Sequence, residues 1–281
     1  MKTAWYFCML LAVSVSAQQP PKFSSKVETV RVDTLATADG KPVAGLSPED
    51  FEVRDNGVVQ KITLLASDNA PVVVQIALDT SASLTGERRE ALRRACRTLV
   101  ARLRPGDRAG ITTFSHVVHP QQPVAAELLR VDDALTPQLE PGHTALYDAV
   151  FASMALADGA PGRALLMIFS DGVDTASWLE SKAVLQAARG SETVAYAITT
   201  EKRTAGFLHD LSDVTGGQQF AVRGDSLDAT FTRVLDEFRQ RYLLSYEPQG
   251  VARGGWHQIE VRSKRRGVRV RARPGYFDPR Q

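Results

Sequence analysis

Apolar positions follow two different rhythms along this chain. Between Val27 and Leu65 the period is two: VETVRV alternates, ADGK supplies a glycine turn, and FEVRDNGVVQKITL holds Asn56-Gly57 between two strand-like runs. Asn-Gly tolerates the positive backbone angles of a tight hairpin, so this stretch predicts strands. Within it, Ser47-Pro48-Glu49-Asp50 combines a capping serine, a proline at the first helical position and two acids, and predicts a short helical piece. Beyond Pro71 the rhythm changes. VVVQIAL and ALLMIFS are continuous apolar runs, RAGITTFS and ETVAYAITT are further strands, and GQQFAV is strand-like. Between them, apolar residues recur at helical spacing. Leu92, Cys96, Leu99 and Leu103 predict a helix over about 86–103, and Leu146, Val150 and Met154 a second. LESKAVLQAAR, a segment near 205–213, and SLDATFTRVLDEFRQR with Leu227, Phe231, Val234 and Phe238 predict three more. From Tyr242 the period of two returns in YLLSYEP, WHQIEVRS and GVRVRARPGY.

Strands apolar on both faces, alternating with helices, imply a doubly wound, mostly parallel α/β sheet covered on both sides. The β-patterned ends imply a small second unit built from both termini, because domain termini commonly lie close together. The expected organisation is a signal peptide at 1–17, a β segment at 18–70, an α/β domain at 71–241 and a β segment at 242–281.

Composition changes this picture little. The chain has 281 residues, 43% hydrophobic and 23% charged, with a net charge of +2. That is globular, and no global field recruits nucleic acid or membrane. The first residues add a destination. Lys2 precedes an apolar stretch from about Trp5 to Val15, and Val15-Ser16-Ala17 fits a cleavage site, so a secretory signal is expected, with a secreted or periplasmic product. An uncleaved anchor is the alternative, although the apolar stretch is short for a membrane span. Loss of Cys8 with the signal leaves Cys96 alone, at a core position and with no disulfide partner. The basic run RSKRRGVRVRAR alternates with apolar residues and reads as the solvated face of a strand pair, or else as a patch for anionic lipid or polysaccharide.

In an open α/β sheet, ligands sit beyond the carboxyl ends of the strands. Three segments bring oxygen ligands there: Asp79-Thr80-Ser81-Ala82-Ser83 after VVVQIAL, Thr144 in GHTALYD just before a helix, and Ser170-Asp171-Gly172 after ALLMIFS. His143 is the imidazole nearest in sequence. An all-oxygen set suits a hard cation, Mg²⁺ in particular.

With those residues in place, the chain resembles the von Willebrand factor type A domain and its metal-ion-dependent adhesion site. That site reads Asp-x-Ser-x-Ser, then a distant Thr, then a distant Asp, and is matched at Asp79, Ser81, Ser83, Thr144 and Asp171. A bacterial, exported subgroup is similar over nearly the whole mature chain, through GLSPEDFEVRDNG, LRPGDRAGITTFS, GHTALYDAV and RARPGYFD. His143 departs from it, standing where the subgroup commonly has Gly. The resemblance implies a Rossmann-like fold and a Mg²⁺ (or Mn²⁺) held directly by Ser81 and Ser83, with Thr144 direct or water-bridged. Asp79 and Asp171 would act mainly through waters or as hydrogen-bond acceptors. It implies cation-dependent binding of a protein partner that presents an Asp or Glu, without catalysis.

Other readings start from the same residues. A phosphatase that uses an Asp after its first strand wants a second Asp two residues on, where this chain has Ser81. No Gly-x-Ser-x-Gly elbow exists for a serine hydrolase, though His143 beside Ser81 or Ser83 keeps a hydrolase in view. A structural envelope protein with a non-functional site is a third possibility. Asp174 reads as a helix cap, and His116 and His119 as surface or loop histidines. Trp178 either flanks the metal face or packs in the core.

Overall fold

A computed structural model describes residues 29–66, 70–81, 86–125, 130–135, 142–199, 206–222 and 227–279. The expected signal peptide at 1–17 and Ser83 lie outside the described residues. The first strands are β1 (Val30–Ala38), β2 (Lys41–Pro42), β3 (Phe51–Asp55), β4 (Val58–Gln60) and β5 (Ile62–Ala66). Next come β6 (Val72–Asp79), α1 (Gly86–Val100), β7 (Arg108–Phe114), β8 (Val118–Ala125), α2 (Val131–Ala134), α3 (Leu146–Asp158) and β9 (Arg163–Phe169). They are followed by α4 (Ser181–Gly190), β10 (Val194–Thr199), α5 (Phe207–Thr215), β11 (Gln219–Ala221) and α6 (Leu227–Arg239). The described chain ends with β12 (Tyr242–Tyr246), β13 (Gly255–Ser263), β14 (Arg269–Arg271) and β15 (Gly275–Asp278).

The apolar runs form one six-stranded sheet in the order β11-β10-β9-β6-β7-β8, parallel except for β8, which runs antiparallel to β7. Successive side chains of a strand point to opposite faces, so each run supplies two cores. Val72, Val74, Ile76 and Leu78 of β6 pack with Leu92, Cys96 and Leu99 of α1 and with Phe231, Val234 and Phe238 of α6. Ala77 faces the other way, with Leu146, Val150 and Met154 of α3, Val184 of α4 and Leu211 of α5. β6 is where the winding reverses: β7 lies on one side of it and β9 on the other. The crevice beyond such a strand is where this architecture places ligands, and β6 ends at Asp79.

The alternating segments build two further sheets, β14-β1-β12-β5 (with β2 beside β1) and β15-β13-β3-β4. Val32, Phe51, Val53, Leu244, Tyr246 and Ile259 form their shared core. The Asn56-Gly57 turn between β3 and β4 has φ of 46° and 82°, the doubly positive pair of a tight hairpin. The run that follows is less simple than its pattern suggests. It breaks at Lys61, so β4 pairs with β3 while β5 pairs with β12 in the other sheet. His119 is likewise a correction: it lies in strand β8, half-buried, and only His116 sits in a turn.

Buried ion pairs join these sheets to the α/β sheet. Asp33 of β1 is salt-bridged to Arg163, the first residue of β9. Arg241 is fully buried and donates to the Asp33 carbonyl at 3.0 Å, the Gly216 carbonyl at 2.8 Å and the Tyr196 hydroxyl at 3.1 Å.

Candidate functional site

β6 delivers Asp79 to the sheet edge because its run, covered on both faces, is buried at every residue up to the point where polar chain begins. Asp79 is 6% exposed and Ser81 7%. The Ser81 amide donates to Asp79 Oδ1 at 3.0 Å, and Ser170 Oγ donates to Oδ2 at 2.8 Å. Burial pushes the Asp79 carboxyl above its ordinary range, the hydrogen bonds from Ser81 and Ser170 oppose that shift, and the neighbouring Asp171 charge adds to it. The one charged group among these influences is thus another carboxylate. Two acids at one sheet edge, one of them desolvated, are stabilised together by a cation between or beside them.

Asp171 is exposed and folded back on its own loop: Oδ1 accepts from the Val173 amide at 3.0 Å. Gly172 has φ +85°, and its amide donates to Ser170 Oγ at 3.1 Å. A side chain at this backbone conformation would be strained, so the turn that presents Asp171 depends on glycine.

Thr144 is 7% exposed and reaches the site along two routes. Next to it, the Ala145 amide donates to the Ser115 carbonyl at 2.6 Å, and Ser115 follows Phe114, the β7 residue in register with Asp79. On its other side, the Thr144 amide donates to Thr175 Oγ1 at 2.9 Å, while its carbonyl accepts from the Thr175 and Ala176 amides. Asp79, Ser81, Thr144 and Asp171 therefore come from segments that are directly bonded or in register at one edge. Ser83, the fifth predicted ligand, is not among the described residues. His143 is exposed beside Thr144.

Sequence reasoning missed the scaffold. Ser170 belongs to a segment singled out for Asp171, yet it is the residue that holds Asp79. Asp174 does cap a helix, but α3, which starts 28 residues earlier: its Oδ1 accepts from the Tyr147 amide at 3.2 Å and from Ser177 Oγ at 2.5 Å. Ser177 Oγ also accepts from the amides of Tyr147 and Asp148. Asp148 returns the contact by accepting the Trp178 and Leu179 amides, both at 2.9 Å. The signal available was only the density of Ser, Thr and Asp in SDGVDTAS. Trp178 is 96% exposed, so it is not a core residue.

A cleft of about 500 Å³ lies at the opposite end of the sheet, lined by Arg31, Asp33, Arg163, Glu192 and Arg273 among others. Arg31 pairs there with Glu192 and Arg163 with Asp33, while Arg273 donates to the Ser191 and Arg31 carbonyls. That makes it a joint between sheets and leaves the Asp79 edge as the functional candidate.

The family profile of the von Willebrand factor type A domain matches residues 74–237, which contain every predicted ligand. The chain belongs to this family. Domains of this family are often adhesion or protein-interaction modules. No curated protein is significantly similar in sequence. Among solved structures, the chain is similar to a von Willebrand factor type A protein from Catenulispora acidiphila, 12% identical, covering 92% of this chain and 76% of that one, with a TM-score of 0.51. It is also similar to the ArnB paralog VWA2 from Sulfolobus acidocaldarius, 12% identical, covering 88% and 75%, with a TM-score of 0.50. An aerotolerance-related membrane protein from Bacteroides fragilis is 15% identical and covers 60% and 99%, with a TM-score of 0.49. At these identities the likeness to the first two is one of fold. Among the described residues, no helix is long and apolar enough to cross a membrane.

Proposed function

We propose that this protein is a cation-dependent protein-binding module whose metal face is the carboxyl edge of β6 and β9. The observation that carries the reading is Asp79: a buried carboxylate, held by two serines, one of which, Ser170, immediately precedes a second carboxylate, Asp171. The donor set of carboxylates and hydroxyls fits a hard dication such as Mg²⁺ or Mn²⁺. Ser81, Ser83 and Thr144 would hold it directly, with Asp79 and Asp171 as acceptors around them. Neutral hydroxyls leave most of the cation's charge uncancelled, so the bound ion supplies an electrophilic position for a partner's Asp or Glu. The chain's own residues do the rest. Ser170 fixes Asp79, and Thr175 fixes the loop that carries Thr144.

The segments on either side of the family domain contribute strands to the same two outer sheets, and we read them as one β unit that carries the domain. The signal-like residues at 1–17 support export to the periplasm or the exterior. A pull-down from the native envelope, with and without EDTA, tests the reading. Partners released by EDTA and lost in Asp79→Ala are expected. Partners retained under both conditions overturn it in favour of a structural protein, and turnover of an ester or phosphate substrate lost in His143→Ala would favour a hydrolase.

A further inference from the structure

Trp178 is 96% exposed, against 41% for Trp256, the other described tryptophan. Trp256 is covered by a cation, the Arg189 guanidinium lying 5.5 Å from its ring centroid. Single exposed apolar residues are ordinary on a protein surface, and what sets this one apart is the chain beneath it. Beneath Trp178 it is fixed: the amides of Trp178 and Leu179 both donate to Asp148, Ser177 caps the start of α3, and Thr175 is bonded to Thr144. The indole is thus presented on a backbone bonded to the predicted metal loop, and a rigid, amphipathic aromatic of this kind is the usual anchor of a protein interface.

The charges around it indicate what it meets. From Asp171 to Lys182 the chain carries three acids, Asp171, Asp174 and Glu180, against one base, Lys182. Asp148 lies directly behind the Trp178 backbone, with its carboxylate on two amides. The ring face of an exposed indole attracts a cation, the arrangement that Arg189 and Trp256 already form elsewhere in this molecule, and the net negative charge of this segment favours a cation over an anion.

We propose that Trp178 is a specificity-determining anchor, and that the partner seats a Lys or Arg side chain on its indole next to the acidic residue it offers to the metal face. The inference rests on the metal-face reading above, but it fails separately from it. The test uses the full chain, immobilised as wild type, Trp178→Ala, Trp178→Phe and Asp79→Ala. The probe is a peptide library with one fixed Asp and flanking positions varied among Lys, Arg, Leu, Ser and Glu, applied in Mg²⁺ and in EDTA. Lys- and Arg-flanked peptides should be retained about fivefold better than their Leu or Ser counterparts by wild type. Trp178→Ala should lose that preference with an unchanged melting temperature, and Trp178→Phe should keep part of it. A preference that survives Trp178→Ala, a preference for Leu, or retention of no peptide overturns the proposal. Asp-peptide retention that is unchanged by EDTA and by Asp79→Ala overturns the metal reading instead.

Discussion

Ser170 and Asp79 are 91 residues apart in sequence and 2.8 Å apart in space, joined by a hydrogen bond from hydroxyl to carboxylate. The bond locks the end of β9 to the end of β6, and it orients the buried acid of the site. A buried hydrogen bond to a charged acceptor contributes roughly 1.5–3 kcal/mol. Ser170→Ala should therefore lower stability by about that amount in urea denaturation with EDTA present. A change within about 0.5 kcal/mol, the range of ordinary surface substitutions, would show that Asp79 is held by other means.

Ser177 serves α3 from a distance. It accepts from the amides of Tyr147 and Asp148, two of the donors that a helix start leaves without internal partners. Loss of a cap costs about 1 kcal/mol. Ser177→Ala should lose that much stability, and should also weaken Mg²⁺ binding, because α3 begins two residues after Thr144. Full stability with weaker Mg²⁺ binding would mean that the serine acts on the loop alone.

The joint beneath the sheet gives a sharp contrast between two aspartates. Asp33 faces Arg163 and lies 3.7 Å from Arg241, with the side chains of the two arginines 4% and 0% exposed. Removing the acid leaves buried positive charge without compensation, which costs roughly 3–5 kcal/mol. Asp132 pairs with Arg97 across an exposed surface, 58% and 59% exposed, where such pairs contribute about 0–1 kcal/mol. Asp33→Ala should unfold at far lower urea than Asp132→Ala. Equal effects would show that the joint is not a cohesive contact.

Stability should fall on the alkaline side. Burial pushes the Cys96 thiol from 9.0 up to about 12 and raises Tyr196 and Tyr246 above the ordinary tyrosine value. Each folded-state pKa lies above its unfolded value, so the stabilisation is complete below the unfolded pKa and is lost as pH rises through the folded one. The window opens near pH 9 for Cys96 and near pH 10 for the tyrosines. Cys96 alone accounts for about 2–3 kcal/mol of loss by pH 11. Urea midpoints should hold from pH 7 to 8.5 and then drop steadily, and a thiol reagent should label Cys96 only after unfolding. Rapid stoichiometric labelling of the native protein would contradict the burial argument.

Much of this fold is legible in the sequence, because its main signals are local. Continuous apolar runs gave the parallel strands, helical spacing gave five of the helices, and Asn56-Gly57 gave the hairpin. Strand β8 was hidden by Pro120 and Pro123, which remove backbone donors; an edge strand tolerates them on its solvent side. The split of KITLLA between two sheets was hidden as well, because periodicity says that a strand exists without naming its partner. At the site, the residues in motif spacing could be found. The residues that orient them could not: Ser170, Thr175 and Ser177 are ordinary turn residues until the fold brings them onto Asp79, Thr144 and α3. The Asp33–Arg163–Arg241 joint was equally silent, since three charged residues scattered over some two hundred positions carry no pattern.

The most direct measurement for the central claim is calorimetric titration of Mg²⁺ into metal-stripped full-length protein, repeated with Ser81→Ala and Thr144→Ala. Both residues lie at the sheet edge and outside the hydrophobic cores, so both variants should fold. Wild type should take up one equivalent, and each variant should bind at least about tenfold more weakly, the loss of about 1.4 kcal/mol expected from one ligand. Absence of binding by the wild type, or affinity that is the same in all three proteins, would contradict a cation site at the end of β6.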